Sequence, residues 1–205
     1  MKLFPMFLKL EGRRCLVVGA GVIAESKIRS LLAAGATVRV VAPKARKSVV
    51  DWARAGVIAW EARAFETRDL DDTFLVIAAT AMSELNALIF REAQARGILC
   101  NAVDDPQHCD FYFPAVVRRG DLQLAISTGG RSPALAQRLR REFEAQFSPL
   151  YAGWLYELGK SRDHLLASEL DPERRRQILH VLASRNNFEN WRLQNEGAEG
   201  AIHER

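Results

Sequence analysis

The spacing of apolar residues predicts alternating strands and helices over the first half of the chain. Short apolar runs typical of buried strands occupy residues 15–18, 37–42, 57–62, 73–79 and 98–103. Between them, apolar residues recur at intervals of three and four, which predicts helices at 22–34, 45–55 and 83–96, the last with Ser83 as its N-cap. Strands that alternate with helices across short turns predict a parallel sheet covered by helices on both faces.

The pattern changes after Asp104. Extended runs at 111–118 and 122–127 predict either two antiparallel strands or a short excursion from the sheet. Ser132 followed by Pro133 is typical of a helix start, and this helix is expected to continue to about Phe147. The remaining patterns predict helices at 150–160, 163–168, 172–184 and 188–193.

These patterns predict an α/β protein with a Rossmann-type doubly wound parallel sheet, a small following segment and a C-terminal helical domain. The expected boundaries are 1–112 for the sheet domain, 113–147 for the segment and 148–195 for the helical domain. Residues 196–205 contain too few apolar side chains to pack and are expected to form a disordered tail.

Composition excludes several classes of protein. The 205 residues are 48% hydrophobic and 26% charged, which excludes a disordered or collagen-like chain. The apolar stretches are about ten residues long, too short to cross a bilayer, and the first residues lack a secretory cleavage pattern, so we expect a cytoplasmic protein without a membrane partner. Three cysteines without a Cys-x-x-Cys pair argue against a disulfide framework and against a structural metal site.

The positive charge of the chain is concentrated in one segment. The net charge is +4, and residues 118–141 contain six arginines but only one acidic residue, Asp121. Arginine binds carboxylates and phosphates through its planar guanidinium, so the segment predicts either a polyanionic partner or a solvated helix face. Nucleic acid is not the expected partner, because no aromatic residues lie between these arginines.

Gly19–Ala24 has the G-x-G-x-x-A pattern of a dinucleotide-binding turn. Gly19 would permit the tight turn, and Gly21 would let the backbone approach a pyrophosphate at the helix N-terminus. An incidental glycine turn is the alternative interpretation. The position between an apolar strand and a helix favours nucleotide binding.

The end of the second strand leaves the identity of the dinucleotide open. Dinucleotide folds commonly place an acidic residue there, which binds the ribose hydroxyls, but this chain has Ala42, Pro43 and Lys44. The cations of this loop could meet a 2′-phosphate, so both NAD and NADP are compatible with the residues. The fourth strand ends in small residues and Thr80, where a ribose or nicotinamide could lie against the backbone.

Two further loops contain candidate chemistry. Asp104 follows the fifth strand at the edge where ligands bind in open α/β sheets, which makes it a candidate general base. Asp105 precedes Pro106 and is interpreted as a turn residue, and His108 as a polar loop residue. The loop at 127–133, rich in glycine and hydroxyl groups, is suited to holding anions through its backbone N–H groups.

Several motifs together resemble the siroheme synthase N-terminal family. They are Gly19–Ala24, Lys27, Ala42–Pro43, Ala78–Thr80, Asn101–Asp105, Cys109–Phe111, Phe113–Ala115 and Ile126–Pro133, followed by Leu135–Ala136 and Leu139–Arg140. They occur in the family's order and at its spacing over about residues 1–195. Members are precorrin-2 dehydrogenases, some of which also insert ferrous iron as sirohydrochlorin ferrochelatases. One position departs from the pattern, because Ser26 stands where the family often has arginine.

The resemblance implies an NAD-dependent enzyme of siroheme biosynthesis that oxidises precorrin-2 to sirohydrochlorin, and it leaves open whether the chain also inserts iron. It implies that Asp104 is the family's essential aspartate. With the residues identified above, the predicted cofactor-binding set is Gly19, Gly21, Val22, Ile23, Ala42, Pro43, Lys44 and Thr80.

The resemblance also implies a role for the segment 113–147, which in this family binds substrate and helps to build a homodimer. The residues expected to bind the carboxylates of the tetrapyrrole substrate are Thr128, Gly129, Gly130, Arg131, Ser132 and Arg138. The alternative is a nucleotide-sensing module without catalysis, which would need neither Asp104 nor the arginine-rich loop.

Overall fold

A computed structural model describes residues 3–168 and 171–199, the last four by backbone alone. These residues form two compact units that divide between Phe113 and Pro114. The first unit contains a five-stranded sheet in which every strand pair is parallel. Its strands are β1 (Arg14–Val18), β2 (Thr37–Val41), β3 (Ala59–Glu61), β4 (Leu75–Ala78) and β5 (Leu99–Ala102).

The strand order is β3-β2-β1-β4-β5. The chain therefore adds β2 and β3 on one side of β1 and then crosses back to add β4 and β5 on the other side. Helices α1 (Val22–Leu32) and α2 (Lys47–Arg54) contribute Ile28 and Val49 to the core on one side of the sheet. Helix α3 (Ser83–Ala95) contributes Ile89 to a second core on the other side. These features confirm the predicted α/β class with a doubly wound parallel sheet.

The two edges of the sheet are β3, which has only three residues, and β5. Beyond β5, the chain passes through a 3₁₀ turn at Pro106–His108 and returns alongside the strand, where Asn101 and Cys109 form an isolated antiparallel bridge. A second 3₁₀ turn, Thr67–Leu70, precedes β4.

The second unit begins with an antiparallel hairpin and continues as helices. Strands β6 (Ala115–Arg119) and β7 (Leu122–Ile126) pair with each other, as one of the two sequence interpretations predicts. The helices are α4 (Pro133–Gln146), α5 (Tyr151–Ala167), α6 (Pro172–Leu182) and α7 (Arg185–Glu199). Aromatic side chains from α5 and α7 pack together, with the rings of Tyr151 and Phe188 stacked at 4.1 Å. The boundary expected between residues 147 and 148 falls inside this unit.

Three predictions about elements were wrong. Met82 rather than Ser83 is the N-cap of α3. Helix α5 is continuous where two helices were expected. The expected tail is helical as far as Glu199, because α7 is anchored by buried Phe188 and a helix once begun gains a backbone hydrogen bond for each residue added. Residues 200–205 lie outside the described residues. Among the helices described, none is long and apolar enough to span a bilayer.

Candidate functional site

The two glycines of the first turn have different structural roles. Gly19 has a φ of 107°, and a Cβ atom built on it would lie 2.3 Å from the carbonyl oxygen of Ala79. Only glycine fits there, because both the backbone conformation and the contact exclude a side chain. Gly21 has a φ of −81°, and its Cβ would meet nothing within 4 Å. Its small size therefore leaves open space at the start of α1.

That space is suited to an anionic group. Gly21 is the N-cap of α1, and as a glycine it has no side chain to accept a hydrogen bond from the first turn of this helix. The first backbone N–H groups of α1 therefore point to open space with the partial positive charge of a helix N-terminus. The side chains of Val22 and Ile23 are exposed beside them. These features fit the pyrophosphate of a dinucleotide.

The loop after β2 is joined to the glycine turn. Ala42 is buried and accepts a hydrogen bond from the Trp60 indole at 3.1 Å, whereas Pro43 and Lys44 are exposed. The backbone N–H of Arg46 donates to the carbonyl of Ala20 at 3.1 Å. The Arg46 guanidinium is bound to a carboxylate of α1, with Nε 2.9 Å from Glu25 Oε2.

Thr80 follows β4 and lies next to the Gly19 contact. Its hydroxyl donates to Asn86 Oδ1 at 2.7 Å, and Asn86 is almost fully buried on α3. The sequence interpretation missed Asn86, whose only signal was a polar residue on the apolar face of a helix. Gly19, Ala42, Thr80 and Asp104 all follow the carboxyl ends of parallel strands, so the structure brings these predicted residues to one edge of the sheet.

Asp104 lies in the turn after β5 in a left-handed conformation, with a φ of 60°. Its side chain is exposed, and within the described residues no hydrogen bond or ion pair holds its carboxylate. Left-handed non-glycine residues cluster at functional sites, where the surrounding structure imposes the conformation. This is the geometry of a carboxylate available to a ligand.

Lys27 is a second charged residue near this turn, and its position in the sequence did not predict a role. Its ammonium lies 3.6 Å from the centroid of the Phe113 ring. Burial lowers the pKa of Lys27, and the charge of Asp104 partly offsets that effect. The half-buried Lys27 ammonium therefore interacts electrostatically with Asp104, the candidate base.

Asp105 and His108 interact directly. Asp105 Oδ2 lies 2.6 Å from His108 Nδ1, and the His108 ring lowers the pKa of the Asp105 carboxyl. The sequence interpretation placed both residues in a turn but gave no partner to either. The groups are three residues apart, and the 3₁₀ turn brings them together.

The glycine-rich loop of the second unit is stabilised by its own hydroxyl groups. Gly129 and Gly130 have φ values of 61° and 78°, and neither would place a Cβ within 4 Å of other atoms. Thr128 Oγ1 accepts from the Ser132 N–H, and Ser132 Oγ accepts from the Leu135 N–H at 3.2 Å. The predicted N-cap Ser132 is thus confirmed, and these two hydroxyls have structural partners.

The six arginines of 118–141 divide into two groups. Arg119 donates to the carbonyls of Glu144 and Phe147 at 2.8 and 2.7 Å, and Arg140 is paired with Glu144. Arg138 makes an exposed contact with Glu142 at 3.5 Å. Within the described residues Arg118, Arg131 and Arg141 are exposed and have no ion pair. The second group is available to an external anion.

Comparison with known proteins identifies the family. The family described as "Putative NAD(P)-binding" matches residues 6–115, more than half of the chain, and the family described as "Sirohaem biosynthesis protein central" matches residues 119–146. The chain belongs to the siroheme synthase N-terminal family. The first unit of this family member accordingly binds a nicotinamide dinucleotide.

Relatives in this family include longer proteins. The siroheme synthase of Nitrosococcus oceani is 40% identical over 151 residues, which are 74% of this chain and 32% of that protein. The siroheme synthase of Methylobacillus flagellatus is 44% identical over the same length, again 74% of this chain and 32% of the relative. The chain thus spans about a third of these relatives. Among solved structures, SirC, a precorrin-2 dehydrogenase, is 26% identical with a TM-score of 0.77, over 95% of this chain and 100% of that one.

Proposed function

We propose that the protein catalyses the NAD-dependent oxidation of precorrin-2 to sirohydrochlorin. The observation that carries the proposal is the likeness to SirC, a precorrin-2 dehydrogenase, over both units of the chain. The dinucleotide turn and an exposed aspartate at the same sheet edge support it, because oxidation requires a hydride acceptor and a group that handles a proton.

The cofactor would be held by the turn after β1 and the loop after β2. The N-terminal backbone groups of α1 would bind the pyrophosphate, with Gly21 allowing close approach. The end of β4 at Thr80 would form the floor of the nicotinamide site. The bound nicotinamide supplies the hydride acceptor for the reaction.

We propose NAD rather than NADP because of Glu25. An arginine near the end of β2 is the residue that usually accommodates the 2′-phosphate of NADP. Here Glu25 already binds Arg46, so the guanidinium is neutralised by a carboxylate that would repel a phosphate. Lys47 is likewise paired with Asp51 at 2.9 Å.

Asp104 would accept the proton that the substrate loses, or orient the substrate for that loss. The reaction removes one hydride and one proton from the macrocycle, so a single base suffices on the proton side. Lys27 would supply a positive field beside the carboxylate.

In the second unit, Arg131 and Arg138 would bind substrate carboxylates, together with the N–H groups of Thr128 and Gly130. Gly129 and Ser132 would shape this loop, because their N–H groups already donate to the hydroxyls of Ser127 and Thr128. The homodimer implied by the resemblance and the cytoplasmic location expected from the sequence stay predictions. Within the described residues no cluster of three or more His, Cys, Asp or Glu side chains is placed to hold a metal ion, and iron insertion is not part of this proposal.

The test is an anaerobic assay of the purified protein with precorrin-2 and NAD⁺. Sirohydrochlorin and NADH should appear in equal amounts, and each can be measured by its own absorbance band. Binding of NAD⁺ by calorimetry without any oxidation of precorrin-2 would contradict the proposal and favour a nucleotide-sensing module.

The choice of cofactor is tested by Glu25→Gln, which frees Arg46 while preserving the shape of the side chain. The ratio of kcat/KM for NAD⁺ over NADP⁺ should fall about tenfold, corresponding to about 1.4 kcal/mol of cofactor discrimination. Glu92→Gln is the matched control, because it makes the same substitution at the Glu92–Arg96 pair in the last turns of α3, away from the loop after β2, and should leave the ratio unchanged. Equal ratios in Glu25→Gln and wild type would show that Glu25 does not select the cofactor.

A further inference from the structure

The backbone on both sides of Asp104 is held by hydrogen bonds. The N–H of Val103 donates to the carbonyl of Ala78 at 2.9 Å, which attaches the turn to β4. The N–H of Asp105 donates to the carbonyl of Ala102 at 3.3 Å, which closes the turn behind Asp104. Asp104 itself has a left-handed conformation, which is uncommon for a non-glycine residue and which these two hydrogen bonds help to fix.

Asp105 is fixed in turn by His108. The carboxylate oxygen lies 2.6 Å from Nδ1, and both side chains are about one-third exposed. A carboxylate only accepts hydrogen bonds, so Nδ1 carries the proton. The backbone adds a second link, because the His108 N–H donates to the carbonyl of Asp105 at 3.1 Å. The edge of the His108 ring meets the Phe90 ring of α3, with centroids 5.2 Å apart, so the imidazole is itself oriented by the core helix.

Cys109 closes the same loop from inside. Its single S–H lies between two acceptors, the carbonyls of Ala102 and Asp105, with the sulfur at 3.1 and 3.2 Å from their oxygens. The Asn101 amide donates to its sulfur at 3.3 Å. Burial raises the pKa of Cys109, so the thiol keeps its proton at neutral pH.

We propose that His108 is a positioning residue, which holds Asp105 and thereby fixes the backbone conformation that aims the Asp104 carboxylate at the substrate. The proposal rests on the proposed function, in which Asp104 handles the proton. His108 contacts Asp105 and Phe90 and acts on the reaction only through the Asp104 turn. It therefore determines kcat rather than binding.

The kinetic test compares three variants with the wild-type protein. His108→Leu removes the donor, and kcat should fall at least about fivefold while KM for NAD⁺ and for precorrin-2 stays within about twofold. His108→Asn places an amide N–H where Nδ1 was and should restore kcat to within about twofold. Gln107→Ala is the matched control, since Gln107 is an exposed neighbour on the same 3₁₀ turn and should behave as wild type.

A second substitution, Asp105→Ala, keeps the test decisive if His108→Leu perturbs folding, and a double-variant cycle tests whether the two residues act as a pair. Asp105→Ala breaks the same contact from the other side. If the two residues act as a pair, the double variant Asp105→Ala/His108→Leu should be no slower than the slower single variant. Multiplied losses of kcat would overturn the proposal.

The second readout is hydrogen–deuterium exchange of the peptide that covers 102–110, measured without substrate or cofactor. Exchange should be faster in His108→Leu and return to the wild-type rate in His108→Asn. Unchanged exchange, or faster exchange with wild-type kcat, would contradict the positioning role. If the wild-type protein showed no dehydrogenase turnover, the proposed function would fail, and exchange alone would decide whether His108 fixes the turn.

Discussion

At the residue scale, the two glycines of the dinucleotide turn can be separated experimentally. Gly21→Ala adds a methyl group in open space, so the fold should be preserved while the dissociation constant of NAD⁺ rises at least about tenfold. Gly19→Ala forces a methyl group against the Ala79 carbonyl in a left-handed conformation and should lower the free energy of unfolding by about 2 kcal/mol or more. Calorimetry and urea unfolding measure the two effects. Wild-type affinity in folded Gly21→Ala would place the cofactor elsewhere.

Asp104→Asn isolates the charge of the candidate base, because asparagine adopts the left-handed conformation as readily as aspartate. We expect kcat to fall about 100-fold or more, with the affinity for NAD⁺ unchanged. Asp72→Asn is the matched control, since Asp72 is also exposed and left-handed with a φ of 58°, but lies before β4 at the amino edge of the sheet. A near-normal kcat in Asp104→Asn would contradict the role of Asp104 as a base and would mean that the enzyme acts by positioning its substrates.

Much of the cofactor side of the site follows from local pattern. The glycine turn between β1 and α1 and the aspartate after β5 could be predicted to share one site, because the carboxyl ends of parallel strands all lie at one edge of the sheet. The contact between Asp105 and His108 was not readable, since it depends on the single 3₁₀ turn between them. The same holds for Lys27, whose environment is set by Phe113, 86 residues further along the chain.

At the scale of elements, α4 and the hairpin before it show which arginines are structural. Replacing Arg131 and Arg138 by glutamine should raise KM for precorrin-2 about tenfold and leave KM for NAD⁺ nearly unchanged. Arg119→Gln should instead lower the free energy of unfolding by about 1–3 kcal/mol, because Arg119 satisfies two carbonyls at the end of α4. Steady-state kinetics and urea unfolding distinguish the two roles. An equal rise in both KM values would contradict the division.

Element types were predicted better than element boundaries. The expected break in α5 fell at a polar stretch that contains Ser161, whose hydroxyl donates to the Glu157 carbonyl one turn earlier at 3.0 Å. Serine often favours non-helical backbone, but this hydrogen bond accommodates Ser161 within the helix. Ser132 was predictable as an N-cap because its signal, a serine before proline, is local and needs no tertiary contact.

At the scale of the whole molecule, buried thiols predict how stability depends on pH. Burial raises the pKa of Cys15 to about 11 and of Cys100 to about 12, from a value of 9.0 in the unfolded chain. Between pH 9 and 11 the folded protein therefore holds more protons than the unfolded one, so the free energy of unfolding falls as pH rises. Lys27, whose pKa is lowered, has the opposite effect, but it is one group against three, since burial also raises the pKa of Cys109.

The measurement is urea unfolding at pH 8 and pH 10. A variant with Cys15→Ala and Cys100→Ala should be less stable at pH 8 but lose less stability between the two values, by about 1.4 kcal/mol per thiol over the whole interval. Parallel loss in both proteins would mean that the thiols ionise alike in the folded and unfolded chains.

The two edges of the parallel sheet affect the tendency of the protein to aggregate in concentrated solution. These edges are the short β3 and β5, beside which the chain returns. An open sheet edge offers unpaired N–H and C=O groups to another molecule, and long flat edges promote aggregation. Here the edge strand β3 has only three residues. At the other edge, β5, the Asp110 N–H donates to the carbonyl of Cys100, and the Asp110 carboxylate accepts from the Cys100 N–H. Asp110→Ala would keep the backbone bond but leave the Cys100 N–H on this edge without its acceptor. We expect the variant to become turbid on heating before it loses activity.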